Sequence, residues 1–288
     1  MSDLLHSDER AELEAFSHRV RRHIVGMSAG GGCFLGASLS CADIVTYLYK
    51  RFLRFDPYQP TDPERDFLIL SKGHDVPALY GAFVELGMLE EGRLRRHLDP
   101  DDSIYWHPNR AIAGIEFHSG SLGHGLSVGM GIAYEARLRK SDTRVVVVVG
   151  DGELNEGSMW EALLVASAYR LDNLVVVVDR NGFQANVPTE ELIPLEPLAT
   201  KFQAFGCSVG SANGHDFDDL ERAFSQITAA GRPHVVIAET VRGKGLPQLE
   251  NRADRWFCRF SDSEVAALLA ELEGGQSAAI EAETLVVR

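Results

Sequence analysis

Asp151 and Asn181 are the residues whose types and setting point most directly to chemistry. A carboxylate, an amide carbonyl and a backbone carbonyl just past Asn181 are oxygen ligands of the kind Mg²⁺ takes, and Mg²⁺ fills its other positions with phosphate oxygens and water. Gly150 and Gly152 flank Asp151 and let a ligand approach the backbone where a Cβ would obstruct it. A helix after Gly152 would aim its free N–H groups and positive dipole end at the same place. These features describe a site for a phosphate held through a metal. The plainer alternative is that Asp151 caps a helix and Asn181 sits in an Asn-Gly turn. For either residue alone that alternative is the better one, and only the pairing weighs against it.

The elements that must position this pair lie between Arg144 and Val187. Val145 to Val149 is a β-branched run, too short to span a membrane, that reads as a strand covered on both faces. It ends on Gly150-Asp151-Gly152. Ser158 to Arg170 places Trp160, Leu163, Leu164 and Ala168 at helical spacing, and Leu174 to Val178 is a second apolar strand closing on Asp179-Arg180-Asn181-Gly182. Parallel strands joined by a helix set their carboxyl ends side by side, the edge where open α/β sheets bind ligands. Asp151 and Asn181 are therefore expected to face one another.

The stretch GDGELNEGSMWEALLVASAYRLDNLVVVVDRNG resembles the thiamine diphosphate motif, specifically that of transketolases, with Gly182 where the motif usually has a second asparagine. The resemblance implies thiamine diphosphate and Mg²⁺ as cofactors. Asp151, Asn181 and the Phe183 carbonyl would hold the metal, with Gly150, Gly152 and Glu153 beside the diphosphate. Ser71-Lys72-Gly73-His74 is similar to the family's S-x-G-H turn, which implies that His74 contacts the diphosphate; unaided by that likeness, His74 reads as a capping or surface residue. Tyr105-Trp106-His107-Pro108 matches a Gly-His-Pro whose histidine faces the substrate, and Gly120 and Leu122 match the turn that holds the aminopyrimidine ring. Glu156 resembles an acidic residue of the subunit interface, its plainer role being a first-turn acid favoured by the helix dipole. His107, His74 and Glu156 are the candidate catalytic residues. A rival dinucleotide reading of Gly123, Gly125 and Gly129 needs a strand before them and an acidic residue closing the next one, whereas Asp142 lies in the turn before the valines.

With 288 residues, 45% of them hydrophobic, the chain can bury a large core. The formal net charge of -14 argues against sequence-independent binding to nucleic acid or to an anionic membrane. Cys33, Cys41, Cys207 and Cys258 form no C-x-x-C pair and read as reduced thiols. The acidic N-terminal stretch MSDLLHSDERAELEAF lacks the pattern of a secretory signal, so a cytoplasmic protein is expected.

Elsewhere, Ser7 to Ser28 and Cys41 to Leu53 are expected to be amphipathic helices and Arg65 to Leu70 a strand. Arg93, Arg95 and Arg96 within Glu90 to His97 read as a solvated basic face. Pro188, Pro194 and Pro197 mark an irregular stretch over the cofactor edge. After it come a helix at Glu196 to Phe205, a strand at Cys207 to Ser211, a helix at Asp216 to Ala230 capped by Asp216, and a strand at His234 to Thr240. Val241-Arg242-Gly243-Lys244-Gly245 resembles the family's K-G-K-G turn, and Ser261 to Glu264 is a capping box for a final helix to Leu272. The alternation extends a mostly parallel sheet, and the resemblance implies a three-layer α/β/α fold over residues 1–273, with a flexible tail over 274–288.

Two departures from the family fall on histidines: Phe34 stands where the glycine loop would carry one, with Cys33 adjacent, and Trp256-Phe257 stands for Trp-His. Both remove proton donors from the reacting end and make it more apolar, which implies an altered substrate. The resemblance covers only the first of a transketolase's three domains, and no residue matches the glutamate that the pyrimidine-binding domain supplies. A second subunit carrying the pyrimidine-binding and C-terminal domains is therefore expected, most simply in an α2β2 assembly. The implied reaction transfers a two-carbon unit from a ketose or 2-oxo acid to an aldehyde, thiamine acting as electron sink. Alternatives are a carboligase subunit that decarboxylates pyruvate, similar to 1-deoxyxylulose-phosphate synthases, and a non-catalytic interaction subunit.

Overall fold

Five consecutive valines offer no polar face, so the strand they form must be covered on both sides. The computed structural model, which describes residues 5–281, provides that cover. The chain begins with α1 (Ser7–Met27), α2 (Leu35–Ser40) and α3 (Ala42–Tyr47), then β1 (Phe67–Leu70), α4 (Val76–Glu85), α5 (Glu91–Leu94) and α6 (Gly125–Arg139). Next come β2 (Val145–Gly150), α7 (Gly157–Ala168), β3 (Leu174–Arg180), a hairpin of β4 (Phe183–Gln184) and β5 (Val187–Pro188), and α8 (Thr189–Leu192). The remainder is α9 (Leu198–Ala204), β6 (Ser208–Asn213), α10 (Phe217–Ser225), β7 (His234–Glu239) and α11 (Asp262–Leu272).

The main sheet has the order β1-β2-β3-β7-β6, every pairing parallel. Val146, Val148, Val175 and Val177 pack with α1, α3, α4 and α10 on one face. Val145, Val147, Val149, Val176 and Val178 pack with α6, α7 and α9 on the other. Each such valine contributes roughly 1.5–3 kcal/mol by leaving water. The result is the expected three-layer α/β/α fold. Its register matters for function: Gly150 pairs with Asp179, which sets Asp151 beside Arg180 and Asn181, and Arg180 pairs with Glu239, which brings the 240–245 turn alongside.

Several boundaries differ from expectation. The helix expected at Cys41 to Leu53 begins earlier, at Leu35, is broken at Cys41 and ends in a π turn at Leu48–Phe52. The break follows Ser40, whose hydroxyl reaches Ala37 O and Asp179 Oδ2. The helix after Asp216 is capped by that residue as expected but stops at Ser225; buried His234 then binds Thr228 O at 2.8 Å, fixing the extended return to β7. The stretch after Asn181 is not wholly irregular, for it contains the β4–β5 hairpin and α8. Gly123 is preceded by turns and loop, and α6 opens at Gly125, so the dinucleotide alternative lacks its strand.

All four cysteines are free and buried. The capping box at Ser261 and Glu264 is formed. Residues 275–281 have no regular structure, yet Ala278 is buried and its N–H donates to Glu271 Oε2 at 2.8 Å. The rest of the expected tail lies outside the described residues. Among those residues no helix is long and apolar enough to cross a membrane.

Candidate functional site

A pocket opens at the carboxyl edge of the sheet, where β2 and β3 end side by side. Gly150, Asp151, Gly152 and Glu153 line it from the end of β2, and Asn181, Phe183, Gln184 and Ala185 from the end of β3 and the hairpin. The turn after β1 gives Lys72, His74 and Asp75, while Ala37, Leu122, Arg242 and Trp256 arrive from four other segments. A Cβ on Gly152 would stand 2.7 Å from the Gln184 Cβ, so the hairpin can close over this turn only because residue 152 is glycine.

The pocket floor is charged and almost dry. Lys72, 1% exposed, pairs with Asp179 and, at 2.9 Å, with Asp75. Burial alone would push its ammonium down, but the two carboxylates push it well above its ordinary value. Ser40 and Thr240 also donate to Asp179, and the Asn181 amide does so at 3.1 Å. Asn181 Oδ1 accepts the Phe183 N–H at 3.0 Å and keeps a second lone pair. Burial of Asp151, with the Asp179 charge behind it, pushes that carboxyl up to about 6, against the pull of the Gly182 N–H and Arg180.

Two groups in this pocket are incompletely compensated, and they carry opposite charges. Asp151 is a 1% exposed carboxyl whose charge the Gly182 N–H and Arg180 offset only in part. Arg242 is 2% exposed; it donates through Nη1 to Ala185 O and lies over the Phe183 ring at 5.2 Å, but its Nε and Nη2 have no partner among the described residues. Burying such groups incompletely paired costs free energy that a ligand can return. A divalent cation suits the first and an anion the second, so the donor set fits a metal-bound diphosphate.

Behind His74 and Trp256, which line the pocket, stands an aromatic cluster. The Phe34 ring lies edge-on to His74 at 5.1 Å and contacts Trp256 and Phe257 at 5.1 and 5.2 Å. Trp106 stacks edge-on against Phe257 at 5.9 Å and donates its indole N–H to Gly32 O at 3.0 Å. Burial, partly offset by Asp75, pushes the His74 imidazolium down, so the ring is biased to neutral. His107 is likewise pushed down, by burial and then by His74.

His74, Leu122, Gly150, Asp151, Gly152, Glu153, Asn181 and Phe183 thus share one pocket. Glu153 spends both oxygens on the surrounding turns: Oε1 accepts from Ser71 Oγ at 2.5 Å and Gly123 N at 2.8 Å, and Oε2 from Gly150 N at 3.2 Å. His107 and Gly120 lie in an adjoining open hollow with Tyr105 and His118; Gly120 has φ 140°, and a Cβ there would stand 2.5 Å from the His107 ring. Glu156 is exposed at the N-cap of α7, beside Gly123. The basic run is engaged elsewhere, since Arg93 and Arg96 both pair with Asp102. Sequence reasoning missed Arg242 and Lys72 as pocket residues and passed over Arg180, which bonds Asp151 Oδ2 at 3.1 Å. The only sequence signal for Arg242 was its place in the glycine turn that follows a sheet strand.

The family model described as the thiamine diphosphate binding domain of transketolase matches residues 24–283. An apulose-4-phosphate transketolase subunit of Actinobacillus succinogenes is 38% identical over 266 residues, 91% of this chain and 96% of that protein. A 6-deoxy-6-sulfo-D-fructose transketolase subunit of Clostridium sp. is 36% identical over 241 residues, 83% of this chain and 88% of that protein. The solved transketolase of Campylobacter jejuni aligns with a TM-score of 0.83 at 26% identity, over 94% of this chain but only 44% of its own length. The chain therefore matches nearly the full length of the Actinobacillus protein and less than half of the solved transketolase.

Proposed function

The chain belongs to the transketolase thiamine diphosphate-binding family, and from that premise we propose that it is the diphosphate-binding subunit of a two-chain transketolase, a transferase of ketone and aldehyde groups. The observation that carries this reading is the coexistence, in one pocket, of a buried carboxyl whose charge Arg180 only partly offsets and a buried guanidinium with two nitrogens unpartnered among the described residues. Asp151, Asn181 and the Phe183 carbonyl would hold Mg²⁺, and Arg242, His74 and the Gly152 turn the diphosphate. When bound, thiamine diphosphate supplies an electron sink for breaking the C–C bond next to a carbonyl.

The chain's own residues divide the remaining work. Lys72 and Asp179 hold the Asn181 amide in place from below. Leu122 and Gly120 would support the aminopyrimidine ring, and neutral His107, near the rim, would face the substrate. The Phe34, Trp256 and Phe257 rings keep water from the reacting end and offer no proton there beyond His74. That apolar wall favours a substrate other than the usual sugar phosphates, whether a ketose or a 2-oxo acid.

Leu122 is 37% exposed and Glu156 lies open beside it, so the rim where the ring would project offers a place for a second chain to close. The partner would carry the pyrimidine-binding and C-terminal domains, in a cytoplasmic α2β2 assembly. The test is to co-purify the chain with the product of a neighbouring reading frame carrying those domains, titrate thiamine diphosphate with Mg²⁺, and screen donors. Coenzyme uptake with two-carbon transfer from a ketose is the expected result. Release of CO₂ from pyruvate would favour the decarboxylating carboligase, and no uptake would leave an interaction subunit.

A further inference from the structure

Arg180 stands outside the set of cation ligands yet touches the one that matters most. Its Nη1 lies 3.1 Å from Asp151 Oδ2, the same oxygen that accepts the Gly182 N–H at 2.7 Å. Among the described residues Asp151 Oδ1 accepts only from Gly152 N, at 2.8 Å. The carboxylate is thereby fixed in rotation with one oxygen saturated and the other still offering a lone pair.

A guanidinium so near a cation site should repel the cation. Here its charge is answered from the far side: Nη2 donates to Glu190 Oε1 at 2.7 Å and Glu196 Oε1 at 3.1 Å. Nη1 also donates to Thr189 Oγ1 at 2.6 Å, and buried Thr189 donates its own N–H to Gly182 O at 2.9 Å. One side chain therefore orients Asp151, shares its charge between that carboxylate and two glutamates, and ties it to the 189–196 segment.

We propose that Arg180 is a positioning residue that sets how tightly this site holds a divalent cation, its charge screened from the cation by Glu190 and Glu196. The inference rests on the coenzyme reading for the cation's place at Asp151, and it adds what the ligands alone do not fix: the affinity. Groups that orient a metal ligand change metal affinity about 10- to 100-fold when removed.

The experiment titrates Mn²⁺ into the 288-residue chain, alone and with thiamine diphosphate, and reads free ion by electron paramagnetic resonance. Arg180→Gln should weaken Mn²⁺ binding about 10- to 100-fold. Arg180→Lys should recover part of the loss, because an ammonium reaches Asp151 but lacks the planar fork that also bridges the glutamates. Glu190→Gln with Glu196→Gln keeps the orientation and unmasks the charge, so binding should weaken less, in a salt-dependent way. Unfolding curves in EDTA control for a merely structural role. Mn²⁺ binding by Arg180→Gln equal to that of the unaltered chain, or a loss that only follows reduced stability in EDTA, overturns the proposal. An unaltered chain that takes up no Mn²⁺, or Asp151→Asn binding it undiminished, overturns the cation reading as well.

Discussion

The charged floor of the pocket and the aromatic cluster packed behind His74 and Trp256 are made of different material. The charged floor stands on strand ends: Asp151 follows β2, Asp179 and Asn181 close β3, and Lys72 and Arg242 sit in the turns after β1 and β7. The aromatic wall is assembled from loops: Phe34 precedes α2, Trp106 lies in the segment between α5 and α6, and Trp256 and Phe257 come from the stretch before α11. A sheet register fixes the first group, so altering one member strains its neighbours. The second group lies outside the sheet and is held by side-chain packing, the Trp106–Gly32 hydrogen bond and the Cys33–Cys258 backbone bridge, where ring type can change without moving the sheet. On the proposed reading coenzyme grip and substrate choice would be separable, and substitutions in the two groups should have separable effects.

The largest effect is expected in the floor. Lys72→Met would leave Asp179 and Asp75 buried without their cation, at a cost of about 3–5 kcal/mol in urea unfolding. A loss below about 1 kcal/mol would mean that the floor is less rigid than its geometry.

Acid should act next, and first on the aromatic side. His97, packed edge-on near Trp106, is buried with both ring nitrogens lacking partners among the described residues, and burial pushes it down to about 4. Its unfolded value is about 6.5, so the stability it contributes is present above that pH and is lost as pH falls toward 4, by up to about 3 kcal/mol. Asp151 titrates with the opposite sign, because its folded value near 6 lies above its unfolded one. Unfolding of His97→Phe between pH 7 and 4 isolates the first contribution, and this variant should lose less stability on acidification than the unaltered chain.

Third, Arg242→Met should weaken binding of thiamine diphosphate with Mg²⁺ about 10- to 100-fold, as expected for lost hydrogen bonds to a charged group of about 1.5–3 kcal/mol. The same change should leave the ligand-free chain no less stable, since it removes two unpartnered buried nitrogens. Calorimetric titration of the complex and thermal melts of the chain read the two outcomes. The smallest effect belongs to the wall. Phe34→Ala and Phe257→Ala should change coenzyme affinity little while altering kcat/KM about 2- to 10-fold, from aromatic contacts of about 0.5–1.5 kcal/mol. A coenzyme affinity that falls as far as for Arg242→Met would erase the distinction between the two groups.

The same difference governs what the sequence disclosed. The valine run, the glycines around Asp151 and the strand closing on Asn181 are contiguous, and their periodicity predicted both the sheet and the facing pair that the Gly150–Asp179 register produces. Arg242 and Lys72 were not legible as pocket residues, because an isolated cation in a glycine turn reads as solvated until the order β1-β2-β3-β7 sets the turns after β1 and β7 beside the ends of β2 and β3. The contact of Phe34 with His74 and Trp256 joins segments remote in sequence, and no local pattern announces it. The short β4–β5 hairpin went unforeseen because Phe183 to Pro188 carries none of the dipeptides that mark tight turns, and its positive φ falls on Ala185.

The measurement that bears most directly on the account is calorimetric uptake of thiamine diphosphate with Mg²⁺ by the complex of this chain with its partner, comparing the unaltered chain with Asp151→Ala and Asn181→Ala. Both variants should fold and assemble yet lose at least about 100-fold in coenzyme affinity, as expected if both side chains are direct ligands to the metal. Unchanged uptake in either variant would contradict the placement of the coenzyme at the carboxyl edge of β2 and β3.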